Sequence, residues 1–175
     1  LLIADEVQSG MGRCGHFFAV QAHGVNPDII TNAKALGGGI PCGAVLCTQE
    51  IASKFGSGDL GSTFGGGPIA AAAIAATVQA ITDEHLLANV RAREAQIREQ
   101  CVVGPIREIQ GMGLLLGLVC DRPAAEVRNA LLDQDILAGT SSDPDVLRIL
   151  APLVLQANHV DRLSQALANI APTTI

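Results

Sequence analysis

The sequence predicts an α/β fold. Short apolar runs stop at polar or Gly-rich segments, and helical patterns lie between and after them. Composition agrees: 49% of the residues are apolar and only 2% aromatic, so the core must be built from Ala, Leu, Ile and Val. Nineteen glycines in 175 residues add tight loops and close backbone approaches.

Leu1 to Ala4 reads as a buried parallel strand that ends in two acids, as such strands do on reaching a site. It has neither initiator Met nor leader, and reads as the inside of a strand whose start is cut off. The expectation is a fragment of a longer protein. Residues 9–16 form a Gly-rich loop, and Phe17 to His23 a short helix. Asn26-Pro27-Asp28 is a turn before a second strand, Ile29 to Thr31. Gly43 to Thr48 is a third strand, and Glu50 to Phe55 is helical in pattern.

A second Gly/Ser/Thr-rich loop runs from Gly56 to Gly67, and Pro68 opens an Ala-rich helix to about Ile81. Thr82 or Asp83 is expected to cap the next helix, with Leu86, Leu87, Val90 and Ile97 at helical spacing up to about Cys101. Beyond it, Ile106 to Cys120 has β character broken at Gly111 and Gly113. Ala124 to Asp133 is a helix, Val146 to Ile149 a strand, and His159 to Ile170 an amphipathic helix. The change of texture places a domain boundary near residue 102, giving 1–101 and 102–175.

A net charge of −6 argues against a nucleic-acid or anionic-membrane surface, since both need clustered Lys and Arg. No apolar run is long enough to span a bilayer. The five cysteines form no CxxC and no histidine stands at zinc-ligand spacing, so free thiols in a reducing cytoplasm and no metal are expected. His16, His23, His85 and His159 share no constellation.

Asp5 follows an apolar strand, where a carboxylate is costly unless something positive meets it. It can be a helix cap or ion pair, or the partner of a protonated ring nitrogen. Lys34 follows the second strand and precedes Gly37-Gly38-Gly39. That is the C-terminal sheet edge, where open α/β sheets place ligands. A surface lysine is one reading. The other is an amine partly desolvated into a usable nucleophile. Together Asp5 and Lys34 suit pyridoxal 5'-phosphate: the amine forms an imine with the aldehyde, and the carboxylate keeps the ring nitrogen protonated.

The run from Ala4 to Arg13 (ADEVQSGMGR) resembles a signature of the class III, ornithine-type aminotransferases. Residues 27–39 (PDIITNAKALGGG) resemble their cofactor-lysine segment. Residues 61–66 (GSTFGG) are similar to their GxTFGGNP loop, with Gly67 in place of Asn. Residues 147–153 (LRILAPL) resemble their LRFxPPL segment, with Ala151 where the first Pro often stands. Four matches in family order are far more specific than any one.

The resemblance implies fold type I: the C-terminal part of the large-domain sheet, in 1–101, and the small α+β C-terminal domain, in 102–175. It implies that Lys34 carries the cofactor and moves the proton, while Asp5 binds the ring nitrogen. Val7 packs on a ring face, Gln8 bonds the phenolic oxygen, Glu6 supports the loop, and Arg148 grips a substrate carboxylate. Thr63 donates to the phosphate from the neighbouring subunit, so the site is shared across a homodimer. From the residues alone, Thr63 also fits a turn cap and Arg148 a solvated strand-edge position.

Within the family, the run AKALGGGIPCGAV (residues 33–45) is closest to members that use N-acetylornithine. That implies transfer of its terminal amine to 2-oxoglutarate, a step of arginine biosynthesis. Ornithine, succinylornithine and 4-aminobutyrate are the alternative donors, and a fragment inactive alone is the other alternative.

Overall fold

The computed structural model describes residues 1–171; the end of the predicted second domain, 172–175, lies outside the described residues. The chain forms two compact units, Leu1–Leu87 and Ala88–Ile175. Each is built on its own sheet.

In the first unit, β1 (Ile3–Asp5), β2 (Ile29–Asn32) and β3 (Ala44–Cys47) form a sheet in that order. β1 and β2 run parallel, pairing Ile3 with Ile29 and Asp5 with Thr31. β2 and β3 run antiparallel, pairing Asn32 with Ala44. The expected burial of β1 is not observed: Leu1 is 93% exposed and Ile3 58%. Among the described residues β1 pairs with β2 only, and no described element covers its apolar side chains. The helix expected before the turn is a single 3-10 stretch, Ala19–His23, closed by Gly24 at φ 63°. After β3 comes one helical turn, α1 (Gln49–Ala52), shorter than the pattern suggested.

The Ala-rich helix α2 (Pro68–Asp83) has Pro at its start, where the missing N–H would have had no partner. Thr82 caps nothing: its hydroxyl donates back to the Val78 carbonyl at 3.0 Å, inside α2. Asp83 likewise closes α2 and accepts from the Gln79 amide. The break comes at His85, at φ 54°. From there α3 (Leu86–Gln100) begins.

The second unit holds a four-stranded antiparallel sheet of β4 (Ile106–Met112), β5 (Leu115–Cys120), β7 (Val146–Ile149) and β6 (Gly139–Thr140), in the order β4-β5-β7-β6. β4 continues through Gly111 instead of breaking there, and the turn falls at Gly113 and Leu114. Gly111 adopts φ 96°, and a Cβ at that site would lie 2.1 Å from the Leu115 carbonyl oxygen, so only glycine fits. β6 has two residues, too few for a readable alternation.

On one sheet face Leu116, Leu118, Leu147 and Ile149 are buried, as alternation along β5 and β7 requires. α4 (Ala124–Leu132) adds Val127 and Leu131, and α5 (Ala157–Ala168) adds Val160, Leu163 and Leu167. α5 starts two residues before the expected His159. His159 serves as its cap instead, with Nδ1 accepting from the Gln156 N–H at 3.2 Å.

α3 belongs to this second core, which contains Val90, Ile97 and Cys101. The compact units therefore divide between Leu87 and Ala88, ahead of the change of sequence texture at 102. Arg98 ties α3 to β4, donating to the carbonyls of Ile109 at 2.9 Å and Gly111 at 2.7 Å. Burial pushes the Cys101 thiol up to about 11, fitting a small apolar filler.

Candidate active site

The parallel pairing of β1 and β2 brings the C-terminal ends of both strands to one sheet edge. Asp5 ends β1, and Lys34 lies two residues past the end of β2. The structure thus brings the two predicted residues together.

The Asp5 carboxylate is held on one oxygen. Oδ1 accepts from the Val7 N–H at 3.1 Å and from the Thr31 hydroxyl at 2.9 Å. Oδ2 has no hydrogen-bond partner among the described residues. The Val7 bond and then the Thr31 hydroxyl hold the carboxyl below the usual carboxylate range; desolvation opposes them, and the charge of Lys34 adds the least.

Glu6 is 1% exposed and carries the loop that follows. Oε1 accepts from the Val20 N–H at 2.8 Å and Oε2 from the Ser9 hydroxyl at 2.5 Å. Its N–H donates to the Thr31 carbonyl, and its own carbonyl accepts from Gly10. A Cβ at Gly10 would sit 2.7 Å from that carbonyl oxygen, so the loop closes only with glycine there. These bonds fix the backbone that presents Val7, half-buried, and Gln8, exposed.

Lys34 opens a 3-10 stretch, Lys34–Gly37, with φ 47°. A non-glycine residue in the left-handed region costs on the order of 1–3 kcal/mol and persists only where its surroundings impose it. Here Gly38 follows at φ 59°, and a Cβ on it would meet the Thr77 hydroxyl of α2 at 2.9 Å. The side chain of Lys34 is exposed. The expected partial desolvation is not provided by the described residues. The sequence holds one other lysine, Lys54, whose ammonium stands 3.7 Å from Glu50, away from the strand ends.

Thr63 is exposed in a turn of the Gly-rich loop and makes no hydrogen bond to Asp5 or Lys34. Its neighbour Phe64 is 91% exposed, Leu60 73% and Ile69 75%. Arg148 belongs to the second unit. It lies on β7 between buried Leu147 and Ile149 and points to the other face. It pairs with Gly117 on one side and Gly139 on the other. A Cβ at Gly139 would lie 3.3 Å from the Arg148 Nε, so the glycine leaves the guanidinium room. Arg148 lines a groove of about 450 Å³ with Leu137, Gly139, Leu150 and Pro152. It has no ion-pair or hydrogen-bond partner among the described residues. An unpaired guanidinium above apolar walls suits a carboxylate ligand.

Sequence reasoning missed Thr31, whose contact with Asp5 depends on the β1–β2 register. It also left unmarked Asn32, which is 3% exposed with neither side-chain polar atom hydrogen-bonded. A ring with a protonatable nitrogen and an aldehyde fits the donor set at the strand ends: Oδ2 of Asp5 is a free acceptor, and Lys34 is an accessible amine.

Residues 1–171 match the family model "Aminotransferase class-III". The chain is similar to the acetylornithine aminotransferase of Methanocaldococcus jannaschii, 40% identical over 97% of this chain and 44% of that protein. Among solved structures it superimposes on the acetylornithine aminotransferase of Elizabethkingia anophelis with TM-score 0.88 and 30% identity, over 97% of this chain and 45% of the other. The ornithine aminotransferase of Toxoplasma gondii gives TM-score 0.88 and 30% identity, over 97% and 42%. The chain spans less than half the length of these relatives. It has the fold-type-I α/β architecture they share, and four motifs, two sheets and the arrangement of Asp5 and Lys34 lead to one conclusion: the chain belongs to the class III aminotransferases.

Proposed function

We propose that these residues serve a pyridoxal-phosphate-dependent aminotransferase that moves the terminal amine of N-acetylornithine to 2-oxoglutarate, as in arginine biosynthesis. The observation that carries it is the placement of Asp5 and Lys34 at the same end of paired strands β1 and β2, with one carboxylate oxygen left free. The donor assignment rests on relatives such as the M. jannaschii acetylornithine aminotransferase, at 40% identity. Ornithine is the second reading, supported by the T. gondii ornithine aminotransferase structure.

Pyridoxal phosphate supplies an electrophilic aldehyde and an electron-withdrawing ring. Lys34 would hold the group at its aldehyde through Nζ, and once that amine is free it would carry the proton of the transfer. Asp5 accepts the ring N–H on Oδ2 and keeps that proton in place. Val7 packs against a ring face, and Gln8 bonds the phenolic oxygen. Arg148 holds a substrate carboxylate through its planar fork. Thr63 bonds the phosphate from a second copy of the chain. The exposed Leu60, Phe64 and Ile69 beside Thr63 support a homodimer with a shared site.

In domain terms, residues 1–101 belong to the cofactor-binding part and 102–175 to the small C-terminal domain, with α3 leading from one to the other. A cytoplasmic location goes with this reading; among the described residues no helix is long and apolar enough to cross a membrane.

The test uses the full polypeptide that carries this sequence, loaded with pyridoxal phosphate. Glutamate should form from 2-oxoglutarate with N-acetylornithine faster than with ornithine, succinylornithine or 4-aminobutyrate. If no ω-amine yields glutamate, the transferase reading is wrong.

A further inference from the structure

Asp5 does not hold itself. Its two oxygens differ: Oδ1 takes two donors, Val7 N–H at 3.1 Å and Thr31 Oγ1 at 2.9 Å, and Oδ2 takes none. The Val7 bond comes from the next turn of the same loop and moves with it. The Thr31 bond comes from a neighbouring strand, whose residue Thr31 is the register partner of Asp5. The Thr31 carbonyl also accepts from the Glu6 N–H at 2.9 Å, so one residue grips the strand end through both its backbone and its side chain.

We propose that Thr31 is a positioning residue for the cofactor: its hydroxyl locks Oδ1 of Asp5 so that Oδ2 is the oxygen presented to the ring N–H. The proposal rests on the reading of Asp5 as the ring partner. An aspartate carboxylate, carried on two rotatable bonds, samples many orientations in water, and ordering it costs free energy on binding. A strand-anchored hydroxyl removes that freedom in advance. It also favours the ionised carboxyl, because it donates to the charged form. Thr31 is β-branched and half-buried in a paired strand, so its χ1 is stiff. A serine there keeps the donor and loses the stiffness. Valine keeps the shape and loses the donor.

The experiment measures pyridoxal-phosphate affinity of the full polypeptide by absorbance titration, for wild type, Thr31→Val, Thr31→Ser, Thr31→Ala and Asp5→Asn. In parallel, the Asp5 carboxyl titration is followed by carbon NMR without cofactor. Thr31→Val should weaken affinity about tenfold, the size expected for losing one hydrogen bond to a charged group. The Asp5 titration should move up toward the ordinary value. Thr31→Ser should return both to within about threefold of wild type. Thr31→Ala replaces valine if valine disturbs folding, and should behave as valine does. Wild-type affinity in the hydroxyl-free variants overturns the proposal. So does a serine variant as weak as valine, which would make the methyl the important group. If Asp5→Asn itself keeps wild-type affinity, the reading of Asp5 fails, and the proposal with it. If Asp5→Asn loses affinity and the Thr31 variants do not, only the proposal fails.

Discussion

The two units solve the problem of order differently. Among the described residues, eighteen of the buried hydrophobic side chains form one cluster in the second unit, from Val90 to Leu167. The first unit buries only Met11, Cys14, Leu36 and Ile81, and leaves Leu1, Ile3, Val45 and Phe64 more than half exposed. Its order rests instead on polar pins. Glu6 holds a loop from inside, Thr31 and Val7 hold Asp5, and positive-φ residues set the chain at Lys34 and Gly38. A packed core is tolerant of which apolar residue fills it, within volume limits. A pinned loop depends on particular donors and acceptors. The residues expected to do chemistry, apart from Arg148, sit in the pinned unit.

That comparison can be broken by mutation. The largest effect belongs to Lys34. Lys34→Ala in the full polypeptide should lower kcat by about ten-thousand-fold, at the upper end for a proton-transferring group. Its unfolding transition should stay in place, because the side chain is exposed and alanine keeps the same Cβ at φ 47°. A variant that unfolds would make Lys34 structural.

Core packing comes next. Leu118→Ala removes a fully buried side chain in the second unit and should destabilise by about 3 kcal/mol in denaturant unfolding. Val45→Ala, at a site 69% exposed in the first unit, should cost less than about 0.5 kcal/mol. Equal losses at the two sites would erase the contrast between the units.

The pins can be pulled singly. Glu6→Ala removes two hydrogen bonds to a buried carboxylate and leaves the Val20 N–H unpaired, a loss of about 2 kcal/mol. Hydrogen exchange should quicken across residues 7–20 and hardly change in β5. Exchange that quickens equally in both places would show that Glu6 is not a local pin.

Arg148→Ala should raise the KM for the oxoacid about tenfold, with kcat and stability little changed, since the guanidinium is exposed and unpaired. An unchanged KM would return Arg148 to a solvated edge position.

The smallest effect is that of pH. The Asp5 carboxyl lies below its ordinary value in the folded state. It therefore favours folding at neutral pH, and that contribution fades as pH falls through the folded-state value. The difference in stability between wild type and Asp5→Asn should be small at pH 7 and close below about pH 4. A gap that widens in acid would reverse the sign.

How much of this was legible in the sequence follows from the same contrast. The second unit was read well where burial writes a period: Leu116, Leu118 and Cys120 alternate along β5, and Val160, Leu163 and Leu167 mark one face of α5. Two-residue β6 went unmarked because it is too short to show a period, and the texture change at 102 falls after α3, whose Val90 and Ile97 pack in the second core. In the first unit, Asp5 and Lys34 were legible because each closes an apolar strand. Thr31 was not, because its role depends on which residue it faces across the β1–β2 pairing. The burial of β1 was inferred from apolarity alone; among the described residues β1 pairs only with β2, and Leu1 and Ile3 are exposed. Thr82 looked like a cap because Thr often caps, but inside α2 its hydroxyl bonds back to the preceding turn.

Lys34 is the residue proposed to hold the cofactor. Lys34 and Lys54 are the two lysines of these 175 residues, and one measurement tells them apart. The full polypeptide is incubated with pyridoxal phosphate, reduced with borohydride and digested, and the pyridoxyl-bearing peptide is identified by mass spectrometry. The expected result is a single modified peptide carrying Lys34, with Lys54 unmodified. Modification at Lys54 or elsewhere, with Lys34 untouched, would contradict the account.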